Sequence, residues 1–430
     1  MKYWTVLFTL SFFFILIANA INIKNTEKSR LPIPASIHNP KTEYRQAIHF
    51  RIKNELSDSP ETKKLDNAIE KFLRKWEIKG ASFALMKDNK LVYAKGYGIA
   101  DNETGTTPSN IFRIASVSKL ITAAGIMKLV ESGRLKLDDC VFGENGILND
   151  NDFTNIKDSR IKDITVEHLL RHRSGFSSRY GDPVFSPLTV AKTMKVSPPI
   201  SSHTLIRYAI SKKLHYTPGQ STSYSNLGYV ILSKIIEKVS ERDYEEFIQK
   251  EILHPAGCFD MHIARNFYKE RYKNEVRYYE SKGEEPILSF DGKNKERPKC
   301  YGGNDINLLW GAGAWVASPS ELLLFTAAID GDPAVPDILK PETVAYMTKH
   351  DTRQLPIGWM HTRENGEWIR TGTLSSTSAV LKRQNDGYSW VFVTNTGSWK
   401  GPKLASKIET MIKNAMRTVK KWPEQDLKKQ

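Results

Sequence analysis

Only three cysteines, Cys140, Cys258 and Cys300, occur in 430 residues. That is too few for a disulfide framework, so stability has to come from a hydrophobic core. One pair is free to form in an oxidising compartment, leaving the third thiol alone, and the spacing fits no metal-binding pattern. H-E-x-x-H is also missing. His168 and His172 stand at i, i+4 but have no glutamate between them and no third ligand after them, so both are expected to be structural. No metal or organic cofactor is implied. Beyond the N-terminal segment no run is long and apolar enough to span a bilayer. There are no internal repeats and no nucleic-acid-binding motif. Acidic residues are in deficit, 48 against 63 Lys and Arg, which leaves a formal charge of +15. The lysines are dispersed, as on a solvated basic surface, and no nucleic acid partner is expected.

What is present describes a folded, exported chain. Apolar residues make up 40% and aromatics 10%, which excludes global disorder. Met1-Lys2 is a small positive n-region, Trp4 to Ile17 is apolar, and Ala18-Asn19-Ala20 has the small-x-small pattern of a cleavage site. A signal peptide over 1–20, cleaved after Ala20, places the mature protein in the periplasm or outside the cell. The competing reading is an uncleaved anchor, because no charge follows Lys2 until Lys24. No stable membrane span is expected once the signal is removed.

Residues 21–58 are polar with scattered prolines and read as an arm. Thr62 to Trp76 has helical period, with Leu65, Ile69, Phe72, Leu73 and Trp76 on one side. Two strand-like runs, Ala81–Met86 and Leu91–Tyr97, are joined by the turn-rich Lys87-Asp-Asn-Lys90, the pattern of a hairpin. Ile164–Phe176 opens on Thr165 as an N-cap with His168 at N3. A polar loop from Tyr216 leads into a helix over Tyr229–Val239, and another helix is expected over Ser320–Ile329. The segment 267–300 is dense in charge and reads either as an insertion bordering the active site or as a disordered loop. Ile357–Thr362, Trp368–Thr371, Ser378–Lys382 and Ser389–Thr394 read as strands, and Gly401–Lys420 as a terminal helix. Strands at both ends with helices between predict an α/β fold: an antiparallel sheet built from both chain ends, flanked by helices, with an inserted all-helical subdomain. A single domain over 59–422 and a polar tail over 423–430 follow.

The chemistry centres on Phe112-Arg-Ile-Ala-Ser-Val-Ser-Lys-Leu120. Ser116 and Lys119 form S-x-x-K at the mouth of a helix whose continuation to Val130 is apolar almost all round. Residues three apart share a helical face, so the amine can reach the hydroxyl. A lysine that is desolvated and near other cations loses its proton more easily and can activate a serine. Backbone N–H groups at the helix start favour a developing oxyanion. Downstream lie Tyr224-Ser-Asn226, a Y-x-N triplet on the loop entering a helix, and Arg370-Thr371-Gly372 on a strand.

In order and spacing these three sites resemble the penicillin-recognising serine hydrolases: class C β-lactamases, DD-peptidases and related esterases. That superfamily carries S-x-x-K, then Y-x-N or S-D-N, then K-T-G or H-x-G. The likeness covers roughly residues 60–420 and extends to flanking phrases such as Arg173-Ser-Gly-Phe176 and Tyr224-Ser-Asn-Leu-Gly-Tyr229. It implies a β-lactamase/transpeptidase-like fold and an acyl-enzyme mechanism on esters or D-amino-acid peptides and amides. Ser116 would be the nucleophile, with Lys119 and Tyr224 sharing its proton. Asn226 would hold the substrate carbonyl side, and the N–H groups of Ser116 and Thr373 would form the oxyanion hole. Thr371 belongs to the substrate-binding strand, and Gly372 would let substrate backbone lie against it. Arg370 stands where the superfamily has lysine or histidine; a cleft-facing guanidinium there would bind a substrate carboxylate. The expected partner is a small-molecule or peptide substrate. The alternative is a non-catalytic penicillin-binding or envelope-binding protein on the same fold.

Overall fold

Two helices from opposite ends of the chain cover one face of the sheet. α1 (Lys63–Lys75) and α5 (Lys403–Met416) each carry an apolar stripe at helical spacing: Leu65, Ile69 and Phe72 on one, Leu404, Ile408 and Ile412 on the other. A stripe of that width is stable only when buried, and here it meets Phe83, Leu85, Tyr93, Trp390 and Phe392. The computed structural model describes residues 51–429 apart from Glu103 and Tyr180. The expected leader and all but the end of the expected arm lie outside the described residues.

The sheet is antiparallel and built from both ends of the chain, as expected. β1 (Gly80–Lys87) and β2 (Lys90–Asp101) form the N-terminal hairpin. Their turn residues Asp88 and Asn89 both have positive φ, the conformation a two-residue turn needs to match strand twist. β3 (Trp368–Leu374), β4 (Thr377–Arg383) and β5 (Tyr388–Thr394) form a C-terminal meander. β5 pairs with β1, Phe83 opposite Phe392, which closes the two halves into the central order β2-β1-β5-β4-β3. Two-residue strands, Thr104–Gly105 and His361–Thr362, edge the seven-stranded sheet. Strand side chains alternate. Trp390 and Phe392 therefore face α1 and α5, while Val391 and Val393 face the second core. That core holds α2 (Ser118–Glu131), α3 (Asn226–Ser240), α4 (Pro319–Ala327) and the shorter helices inserted between β2 and β3.

One expected strand and both expected borders change, and the alternatives left open for the 267–300 segment and the cysteines are decided. Ile357–Met360 is not a strand; the chain pairs only at His361–Thr362. Gly358, at φ 77°, lies so close to α2 that an added Cβ would come within 2.9 Å of the Ala123 Cβ. The charged 267–300 segment is ordered, with a small strand pair, Ile287–Leu288 against Glu296–Arg297. Phe267 stacks on Phe290 at 5.8 Å, and Arg271 pairs with Asp101 at 2.8 Å. The packed unit also passes both expected borders. Ile52 is buried before position 59, and Leu427 is fully buried in the supposed polar tail, where Asp426 accepts the Leu91 N–H at 3.1 Å. All three cysteines are free thiols, Cys258 and Cys300 buried and Cys140 exposed.

Candidate active site

The turn carrying Ser116 is held from below. Phe112 and Arg113 pair with Ala317 and Val316, and the buried Arg113 donates to the carbonyls of Cys300 and Arg265 at 2.7 and 2.8 Å. The chain then turns sharply: Ala115 has φ 48°, a left-handed conformation that is unfavourable for a residue with a Cβ. A 3-10 turn over Ala115–Val117 runs straight into α2. From Ile111 to Met127 every residue is buried except Ser116. The platform therefore presents one hydroxyl and nothing else.

Lys119 reaches that hydroxyl from one helical turn on. Its Nζ donates to Ser116 Oγ at 3.2 Å, to Asn226 Oδ1 at 2.7 Å and to the Ala312 carbonyl at 2.6 Å. Tyr224 Oη lies 2.8 Å from Ser116 Oγ on the other side. The Y-x-N triplet is placed by the start of α3: Ser225 is its N-cap, accepting the Gly228 N–H at 3.1 Å, and Asn226 is its first residue. His172, a structural histidine as expected, underlies this loop. Its ring packs 4.5 Å from that of Tyr224, its carbonyl accepts the Ser223 N–H at 2.9 Å, and its Nδ1 accepts the Ser225 N–H at 3.2 Å. His168 completes a capping box with Thr165. Among the described residues no group of three or more His, Cys, Asp or Glu is arranged to hold a metal ion.

Electrostatics bring the two groups beside the serine to the same range. Burial pulls the Lys119 ammonium down to about 8, helped by the Arg370 charge and opposed by Tyr224. Burial alone would raise the Tyr224 phenol, but the Lys119 and Arg370 cations outweigh it and bring it down to about 8. Burial and the same two cations hold His172 well below its ordinary value, so it stays a neutral acceptor. Lys119 and Tyr224 thus flank the Ser116 hydroxyl with closely matched proton affinities.

β3 supplies the other wall. Among the described residues its outer edge carries no strand partner from Arg370 to Leu374, since pairing with His361–Thr362 ends at Ile369. Arg370 and Gly372 are buried on the side facing the Ser116 turn, and Thr371 and Thr373 alternate to the opposite face. Two expectations are corrected here. Arg370 does not face substrate: it is 1% exposed, donating from Nε to the Ser116 carbonyl at 2.8 Å and from Nη2 to Tyr224 Oη at 3.2 Å. Gly372 makes room for protein: a Cβ there would come within 2.3 Å of the Ile114 carbonyl oxygen and 2.8 Å of the Ser116 nitrogen. Asn226 also spends its amide internally. Besides accepting from Lys119, it donates from Nδ2 to Asp182 Oδ2 at 2.7 Å. Sequence reasoning missed Asp182, since Gly181-Asp182-Pro183 looks like any turn.

The Beta-lactamase family model matches residues 65–408. Protein flp of Staphylococcus aureus (strain COL) is 26% identical over 357 residues, covering 82% of this chain and 67% of that protein. The solved structure of D-amino acid amidase from Ochrobactrum anthropi SV3 superposes with a TM-score of 0.64 at 20% identity, over 83% of this chain and 99% of that one. The octameric penicillin-binding protein homologue from Pyrococcus abyssi superposes with a TM-score of 0.58 at 26% identity, over 84% and 78%.

Proposed function

The chain belongs to the Beta-lactamase family, and from that premise we propose that it is an exported serine hydrolase working through an acyl-enzyme. The carrying observation is that Ser116 Oγ sits 2.8 Å from Tyr224 Oη and 3.2 Å from Lys119 Nζ, with both partners brought to about 8. The Tyr224–Lys119 pair takes the Ser116 proton as Oγ bonds to the acyl carbon. The N–H groups of Ser116 and Thr373 receive the carbonyl oxygen as it becomes negative. The leaving alcohol or amine takes the proton back, and water repeats the sequence to free the acid.

Arg370 contributes fixed charge from behind the reacting atoms, and Asn226 locates Lys119. The substrates we propose are small esters and peptides or amides of D-amino acids, the second supported by the fold shared with a D-amino acid amidase. Kinetics on a short-chain p-nitrophenyl ester test the relay. Ser116→Ala should abolish turnover, and Tyr224→Phe and Lys119→Ala should each lower kcat/KM by roughly two orders of magnitude or more. The double variant should lose little more than either single one, because the two groups act as a unit. Losses that multiply would rule out a shared relay.

A further inference from the structure

Behind Lys119 lies a chain of buried hydroxyls. The shortest hydrogen bond of the Lys119 amine, 2.6 Å, goes to the Ala312 carbonyl, between the short helix Ile306–Leu309 and the strand Trp315–Ala317. The backbone there is strained: Trp310 has φ 42° and ψ −127°, a conformation that a residue with a Cβ holds only where its surroundings impose it. Both polar groups of the next residue are fixed. Ser233 Oγ accepts the Gly311 N–H at 3.1 Å, and Thr122 Oγ1 donates to the Gly311 carbonyl at 2.7 Å. Tyr244 Oη is 2.7 Å from Thr122 Oγ1, and Trp315 Nε1 donates to Tyr244 Oη at 2.9 Å. An indole N–H only donates and a carbonyl only accepts, so the donors run from Trp315 through Tyr244 and Thr122 to Gly311. The Ser118 carbonyl, 3.3 Å from Thr122 Oγ1, is the more distant acceptor.

Packing alone does not call for this chain. Thr122, Ser233, Tyr244 and Trp315 are all fully buried, and apolar groups of the same shape can fill such space at little or no cost in stability. What apolar groups cannot do is hold a carbonyl. Three hydroxyls converge on position 311, where an added Cβ would lie 2.3 Å from Ser233 Oγ, 2.6 Å from Thr122 Oγ1 and 2.8 Å from Tyr244 Oη. Holding this backbone matters to the amine. A neutral amine has two N–H groups and one lone pair. Asn226 Oδ1 at 2.7 Å and the Ala312 carbonyl at 2.6 Å accept but cannot donate, so they take the two N–H groups and leave the lone pair for Ser116 Oγ at 3.2 Å. If the Ala312 carbonyl drifts, the amine is free to turn its lone pair away from the serine.

We propose that Thr122 and Tyr244 are positioning residues of this hydrolase: through the Gly311 carbonyl they fix the adjoining Ala312 carbonyl, which aims the Lys119 lone pair at Ser116. This rests on the hydrolase reading above and extends it to groups that touch neither substrate nor the reacting atoms. Thr122 follows Lys119 by three residues on α2, as Lys119 follows Ser116. One face of the helix and its entry turn therefore carries the nucleophile, the base and the support of the base. A displacement of roughly 1 Å at the base lowers the rate by up to about 100-fold.

The test compares Thr122→Val, which keeps the shape and removes the hydroxyl, with Thr122→Ser, which keeps the hydroxyl and removes the methyl group. Tyr244→Phe deletes the preceding link. The second-order rate constant for fluorophosphonate labelling of the full chain reads the activation of Ser116 in folded molecules. It should fall about 10- to 100-fold in Thr122→Val and in Tyr244→Phe, and Thr122→Ser should recover most of it. A Thr122 that only packs gives the reverse order, since serine leaves a cavity and valine does not. Wild-type rates in Thr122→Val, or a Thr122→Ser as slow as Thr122→Val, overturn the proposal. A second arm follows amide hydrogen exchange in peptides spanning 310–315. Exchange there should quicken in Thr122→Val and Tyr244→Phe while the rest of the chain stays as protected as in the wild type. Unchanged exchange overturns the proposal even where the labelling rate falls. A wild type that takes no label and turns over no ester sinks the hydrolase reading itself and, with it, the role given to Thr122 and Tyr244.

Discussion

Arg370 shows how one side-chain choice sets the chemistry around a serine. A guanidinium does not give up its proton, so it is a constant charge beside Tyr224 at every working pH. Burial is the largest influence on both groups, lowering Lys119 and raising Tyr224; the Lys119 charge outweighs it at Tyr224, and the Arg370 charge adds to the lowering of both, each to about 8. The competent state has lost one proton from the pair, so kcat/KM should rise with pH through about 8 and level off above it. Arg370→Met removes a cation that stabilises the phenolate and disfavours the ammonium. Its rising limb should therefore move to higher pH, and Arg370→Lys should move it less. A limb at the same pH in all three proteins would show that the guanidinium tunes neither group. At this scale Ser116, Lys119, Tyr224 and Asn226 were legible, because each motif demands a residue type at a fixed spacing. The direction in which Arg370 and Gly372 point was not, because strand alternation fixes a face only once the register is known. Asp182 was invisible for a related reason: its meaning comes from Asn226, 44 positions away.

Elements place these residues, and two glimpses of that placement are testable. β3 approaches the Ser116 turn so closely that position 372 has no space for a methyl group. Gly372→Ala should push the strand off Ser116, with a stability loss of roughly 1–3 kcal/mol and a disproportionate loss of activity. Normal turnover at normal melting temperature would show that the approach is not needed. The start of α4 carries a buried acid. Glu321 accepts the Phe259 and Asp260 N–H groups, both at 2.8 Å, yet burial raises its pKa from 4.5 to about 7. A folded-state value above the unfolded one means the folded chain holds the proton more tightly. Its contribution is fully present below about 4.5 and is lost as pH rises to about 7. Asp260, whose charge also raises Glu321, adds to the effect. Glu321→Gln keeps the acceptor oxygen and removes the titration, so its melting temperature should gain on the wild type between pH 5 and pH 8. A constant difference across that range would refute the assignment. Element types were legible where period and turn chemistry agreed, as in the β1–β2 hairpin. Ile357–Met360 misled because a short apolar run reads the same whether it pairs in a sheet or packs on a helix. The charged 267–300 segment concealed its order because its charges are matched by partners distant in sequence, such as Arg271 with Asp101.

At the scale of the molecule, segments from both ends of the chain build one sheet, and the helical insertion supplies Lys119 and the loop carrying Tyr224. This topology was legible from strands at the two ends with helices between; the borders were not, since Ile52 and Leu427 are isolated apolar residues in polar surroundings. The central claim is that this assembly forms a covalent intermediate on one serine. Its most direct measurement is fluorophosphonate labelling of protein recovered from the periplasmic or secreted fraction, followed by digestion and peptide mapping. The same digest should show a chain beginning at Ile21; an intact Met1 would replace the exported form with an anchored one. The predicted result for the site is a single adduct on the peptide carrying Ser116, absent from Ser116→Ala. An adduct on any other serine, or undiminished labelling of Ser116→Ala, would contradict the account.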